Sequence, residues 1–134
     1  MNLMQWDDSL SVNIDKIDEQ HKKLLGMINE FDDNLRAGNK RAVSSVLEGL
    51  SDYTVQHFAL EEQYFDDFAY PDAGAHKKEH AYFVGKVNDI KRRYENGEMA
   101  LSLELAFFLK KWLVGHIKGT DKKYINCFHD HGLT

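Results

Sequence analysis

In the segment GAHKKEHAYF, residues 74–83, His76 and His80 stand four apart with Glu79 between them, and that spacing suits a metal. A separation of four puts both imidazoles on one helix face, a turn apart, where their ring nitrogens can reach one ion. Taken literally, His-x-x-Glu-His is the signature of a class of zinc peptidases in which the glutamate activates water. The competing reading is a solvated helix face that carries histidine by chance, and five residues do not decide between the two. The remaining histidines bear on it: His21, His57 and His116, then His129 and His131 in the tail CFHDHG.

The elements that must position these residues follow from the breakers. The chain has one proline, Pro71, and few β-branched runs, and it is interrupted at RAGNKR (36–41), AYPDAG (69–74) and ENGEM (95–99). This predicts an all-α fold of one domain over 1–134. An amino-terminal arm spans 1–17, four helices lie near 18–37, 41–66, 73–95 and 101–118, and a tail covers 122–134. Asp72 and Ser102 are expected as amino-terminal caps, and Gly38 and Gly97 as helix ends. Short loops imply an up-down-up-down antiparallel four-helix bundle with an extended arm.

Spacings of three and four then give each helix an inward stripe. The first reads Ile17, His21, Leu24, Ile28, Phe31, Leu35. The second reads Val43, Leu47, Leu50, Thr54, His57, Glu61, Tyr64, Phe68. The third reads His76, His80, Phe83, Val87, Ile90, Tyr94, and the fourth Leu105, Phe108, Trp112, His116. A single core histidine is ordinarily a hydrogen-bonded one, but five imidazoles and a carboxylate buried without partners would cost several kcal/mol. They need one another, or a metal. In the antiparallel bundle the start of the first helix, the end of the second, the start of the third and the end of the fourth share one end. All six side chains therefore meet at one level of a bundle on the order of 30 Å long.

Asp121 follows His116 by five residues, which turns it about 140° away on a regular helix. It joins the site only if the helix is broken or widened there, and Gly119 and Thr120 allow such a break; a helix-end or surface acid is the alternative. Glu62 falls off the inward stripe, and Glu79 lies about 100° from His80 and reads as a solvent-facing bystander. His129 and His131 are expected at the surface, with incidental metal binding as the lesser alternative. The runs KRRY (91–94) and DKKY (121–124) read as solvated faces.

Imidazoles with carboxylates and no thiolate suit iron, zinc, copper or manganese. Five imidazoles exceed what one tetrahedral zinc uses. Two six-coordinate ions that share Glu61, Asp121 and one water-derived oxygen would be filled except for a single position. If the histidines divide three and two, that position lies on the ion with two.

Four segments carry a resemblance: DEQH ending at His21, HFALEE from His57, HKKEH from His76 and HIKGTD from His116. With Trp6 in the arm they make the chain resemble the bacteriohemerythrins, single-domain members of the hemerythrin family, over nearly its whole length. The resemblance implies reversible dioxygen binding at two iron ions, ferrous in the deoxy state and ferric in the oxy and met states. His76, His80 and His116 would hold the saturated iron and His21 and His57 the open one. Glu61, Asp121 and an oxo or hydroxo group would bridge, which makes Asp121 a ligand. Nitric oxide and azide-like anions are further expected ligands, and an oxygen-consuming enzyme an expected acceptor.

Phe58, Leu113 and Ile117 are expected to wall the oxygen pocket, and Trp6 and Trp112 to pack the bundle. No general acid for O–O cleavage is evident, so no catalytic residue is expected. A di-iron peroxidase, oxidase or nitric-oxide or nitrite reductase is the enzymatic alternative, although ferritin-like enzymes use mostly glutamates with Glu-x-x-His pairs. A packing module without metal is the non-chemical one.

Composition agrees with a globular domain: 43% hydrophobic, 29% charged, net charge −5. That acidity argues against nucleic acid or an anionic membrane as a partner. The lone Cys127 excludes an internal disulfide, MNLMQWDDSL shows no secretory signal, and LELAFFLKKWLVGH is too short to span a bilayer. A cytoplasmic protein is expected.

Overall fold

The computed structural model describes residues 5–97 and 103–134. Four long helices run α1 (Asp15–Arg36), α2 (Lys40–Asp67), α3 (Ala73–Glu95) and α4 (Leu103–Gly115), with α1 packed on α2 and α4, and α2 on α3. This is the expected four-helix bundle. The start of the fourth helix and the expected Ser102 cap lie outside the described residues.

The turns follow from local chemistry. Gly38 and Gly97 end α1 and α3 with φ of 70° and 68°, a left-handed conformation that glycine adopts without a Cβ clash. Asn39 caps α2, its side-chain oxygen accepting the Ala42 N–H at 3.1 Å. Asp72 occupies the cap position of α3 but makes no side-chain capping bond. At the end of α2, Ala69 takes the left-handed position at φ 51°, and the Tyr70 N–H returns to the Phe65 carbonyl at 3.0 Å before Pro71 stops the helix.

Inward stripes form the core, with two shifts of register. Near the end of α2 Phe65 is buried, whereas Tyr64 and Phe68 are half-buried and stack beside the tail. On α4 the buried residues are Ala106, Leu109 and Leu113; the expected Leu105, Phe108 and Trp112 are half-buried. LAFFL is apolar on every side, so periodicity alone leaves its phase open.

The arm from Gln5 onward and the tail both close over the histidine end of the bundle. In the arm Val12 and Ile14 are fully buried, and the Asp18 carboxylate accepts the Val12 N–H at 2.9 Å and the Ser11 hydroxyl at 2.5 Å. Trp6 packs half-buried against the core, with the Lys22 ammonium 5.1 Å from its ring centre. The tail is folded: a 3-10 turn (Asp121–Tyr124) leads into α5 (Ile125–Asp130), where Phe128 stacks on Tyr124 at 4.2 Å. His129 binds the Asn13 carbonyl at 2.8 Å, and His131 is exposed and stacks on Phe68, so both have local roles. Among the described residues no helix is long and apolar enough to cross a membrane.

Candidate metal centre

Between α4 and the 3-10 turn the backbone winds as a π turn, His116–Thr120, and the Asp121 N–H reaches the carbonyls of both His116 and Ile117. This extra residue per turn returns a side chain five positions on to the face of the first. Asp121 thus points inward, fully buried, as the resemblance implied and helical spacing alone left open. The same turn buries Tyr124, so DKKY is not a solvated run: two of its four residues are core.

The structure brings all seven expected side chains to one end of the bundle, each at most 3% exposed. They fall into two groups: Glu61, His76, His80, His116 and Asp121 in one, and His21, His57 and Glu61 in the other. Asp121 spans them. Its Oδ1 lies 2.9 Å from His76 Nε2 and 3.0 Å from His116 Nε2, while Oδ2 lies 3.2 Å from His21 Nε2. Glu61 Oε1 lies between His80 Nε2 at 3.2 Å and His57 Nε2 at 3.4 Å.

These atoms fit a cation better than they fit one another. His76 Nε2 and His116 Nε2 face each other at 3.2 Å. His21 Nε2, His80 Nε2, Glu61 Oε1 and both Asp121 oxygens are buried without a hydrogen-bond partner. Five converging donors left unsatisfied in a protein interior would be costly, and a positive ion satisfies them together.

Outside the cluster the far ring nitrogens of three of the five imidazoles are held, while Nδ1 of His21 and of His76 is buried without a hydrogen-bond partner. The Nδ1–H of His80 donates to Glu62 at 2.8 Å, that of His116 to Glu79 at 2.9 Å, and that of His57 to Gln20 at 2.6 Å. Such bonds fix the tautomer and aim Nε2 at a metal. Glu79 is therefore no bystander, although its side chain is 43% exposed. Nor does it suit the peptidase role, because its carboxylate binds the far side of His116, away from the converging atoms. Residue spacing missed Glu62 and Gln20 because each reaches sideways to a neighbouring helix. Tyr124 was also missed; its O–H donates to Glu61 Oε2 at 2.5 Å, and its three-residue spacing from Asp121 was the available signal.

Charge follows burial and contact. Burial opposes ionisation of Asp121, but the charge of His116, with the His21 and His76 imidazoles close beside it, holds the carboxyl well below its usual range. Burial alone would lower His116, yet Asp121 and Glu79 raise it to about 9. Burial lowers His57 to about 4, only partly offset by Glu61. Tyr124 is pushed well above 10 by burial and by the Asp121 and Glu61 carboxylates.

The expected pocket wall is buried: Phe58 lies flat on His80 at 3.8 Å and 5.6 Å from His57, with Leu113 and Ile117 in the core. Trp112 covers His116, its ring stacked at 4.6 Å, and packs on Phe83.

Residues 12–128 match the family model described as the hemerythrin HHE cation binding domain. A bacteriohemerythrin of Stenotrophomonas maltophilia is 36% identical over 98% of this chain and 85% of its own length. One from Methylococcus capsulatus is 35% identical, covering 95% and 98% respectively. A solved structure titled as wild-type hemerythrin superposes with a TM-score of 0.90 at 35% identity, over 93% of this chain and 97% of its own.

Proposed function

The chain belongs to the hemerythrin family, and from that premise we propose that it binds dioxygen reversibly at a non-haem pair of iron ions, for storage, delivery or sensing. The observation that carries this is the division of five imidazoles into three and two around two shared carboxylates. His76, His80 and His116 would hold one ion, His21 and His57 the other, and Glu61 and Asp121 would join them. When bound, the ions supply the electrons that let oxygen be taken up and given back.

The protein's part is to bind, orient and keep the site dry. Glu62, Glu79 and Gln20 aim three of the imidazoles. Phe58, Leu113 and Ile117 exclude water, which favours release of oxygen intact over its protonation. Tyr124 holds its proton on Glu61 Oε2, and its raised pKa makes it a poor acid. Apart from Tyr124 and the seven, the described buried side chains with a polar group are Asp32, Ser51, Thr54 and Tyr70, and burial pushes the Tyr70 hydroxyl up to about 12. Asp32 pairs with Arg36 near the opposite end of α1, and Ser51 with Asn88. Carriage rather than turnover fits a site without a general acid. Nitric oxide and azide-like anions are the further ligands this reading allows, an oxygen-consuming enzyme the acceptor, and a reducing cytoplasm the compartment.

Anaerobic reconstitution with ferrous iron, metal counting, and spectra recorded as oxygen is admitted and withdrawn test the reading. Two irons per chain and a visible band that comes and goes with oxygen are expected. One zinc per chain, or irreversible oxidation on first contact with air, overturns it.

A further inference from the structure

We propose that Glu79 is a positioning residue that braces the π turn from the neighbouring helix and so sets both His116 and Asp121 for metal. This rests on the reading of those two side chains as ligands. Glu79 Oε1 accepts from His116 Nδ1 at 2.9 Å and from the Thr120 hydroxyl at 2.8 Å, and Oε2 stands 3.0 Å from the same hydroxyl. His116 and Thr120 are the first and last residues of the π turn. One carboxylate on α3 therefore holds both ends of the segment whose extra width brings Asp121 inward.

A π turn needs such a hold. It is rare beside the α-helix that the same residues could form, and in a regular helix Asp121 would point about 140° away from His116. The bond to Nδ1 also fixes the rotation of the His116 ring, leaving Nε2 3.0 Å from Asp121 Oδ1. Glu62 and Gln20 serve one imidazole each; Glu79 alone among these three also ties the end of the π turn. An exposed acid with no such duty would be worth little.

The full-length protein, stripped with a chelator, is titrated with Co2+ against a competing chelator, with ions per chain, affinity and the visible Co2+ spectrum as readouts. Wild-type protein is expected to take two ions; fewer than two sinks the di-metal reading itself, whatever the variants do. With two bound in the wild type, Glu79→Ala should weaken binding about 10- to 100-fold and alter the Co2+ band. Glu79→Gln should stay close to wild type, because one amide oxygen can accept both bonds. Thr120→Val should weaken binding less than Glu79→Ala, and adding it to Glu79→Ala should cost little more. Wild-type affinity and spectrum in Glu79→Ala overturn the proposal. So does a Glu79→Gln as weak as Glu79→Ala, which would place the effect in the charge. If Glu79→Ala fails to fold by circular dichroism, Thr120→Val decides, and unchanged Co2+ affinity there overturns the brace.

Discussion

His116 and Asp121, five residues apart, face each other with Nε2 3.0 Å from Oδ1, because the backbone between them is wound as a π turn. The other Asp121 oxygen reaches His21 on α1, so one carboxylate faces both groups of imidazoles.

Asp121→Asn removes that double role while keeping the size of the side chain. The amide has one oxygen and would present an NH2 group, a donor only, to one of the imidazole groups. The count of bound metal should fall from two ions per chain to one, with the histidine-poor group, His21 and His57, losing its ion first. Metal counting after dialysis checks this, and a variant that keeps two ions would remove Asp121 from the bridging role.

The arrangement was only partly legible in the sequence, and the reason is geometric. His21, His57, Glu61, His76 and His80 sit in regular helix, where three- and four-residue spacing reports direction faithfully. Asp121 and Tyr124 lie beyond a turn of different period, so helical counting could not place them, and the charged letters around them disguised a buried segment. Glu79, Glu62 and Gln20 act across helices on ring nitrogens facing away from the cluster, a relation that no spacing along one helix encodes. Ala106 and Leu109 were missed as the inward face of α4 because its sequence is apolar all round.

Two histidines with opposite shifts should give the metal-stripped protein a stability maximum near pH 6.5. His57 has a folded pKa lowered to about 4, so the unfolded chain binds the extra proton first, and stability falls as pH drops from 6.5 towards 4. His116 is raised to about 9, so its contribution is full below 6.5 and is lost as pH rises through 9. Each limb is on the order of 3 kcal/mol. Denaturant midpoints measured from pH 4 to 9.5 in the presence of chelator check this, and a curve flat across 6.5 to 9 would contradict the raised His116. The same shift predicts that metal loading at pH 7 releases a proton from His116, with affinity rising towards pH 9.

Thr54 lies one turn below His57 on the same inward stripe, fully buried, with a hydroxyl that has no hydrogen-bond partner. Such a group carries its desolvation penalty uncompensated, so Thr54→Val, nearly the same shape, should stabilise the fold by about 1–3 kcal/mol. A urea titration reads the gain, and a loss of stability would mean that the hydroxyl is satisfied within the folded protein.

Gly119 separates two explanations of the π turn. If glycine's conformational freedom makes the turn, then Gly119→Ala should collapse it and shed metal. The structure argues otherwise: the residue has no left-handed φ, and an added Cβ meets nothing within 4 Å. Alanine is also the better helix former, by up to about 1 kcal/mol. The brace from Glu79 to His116 and Thr120 is independent of position 119 and remains intact in this variant. Gly119→Ala should therefore keep its full metal complement and melt at or slightly above the wild-type temperature. Loss of metal in a folded Gly119→Ala would show that the turn depends on backbone freedom more than on the carboxylate that spans it.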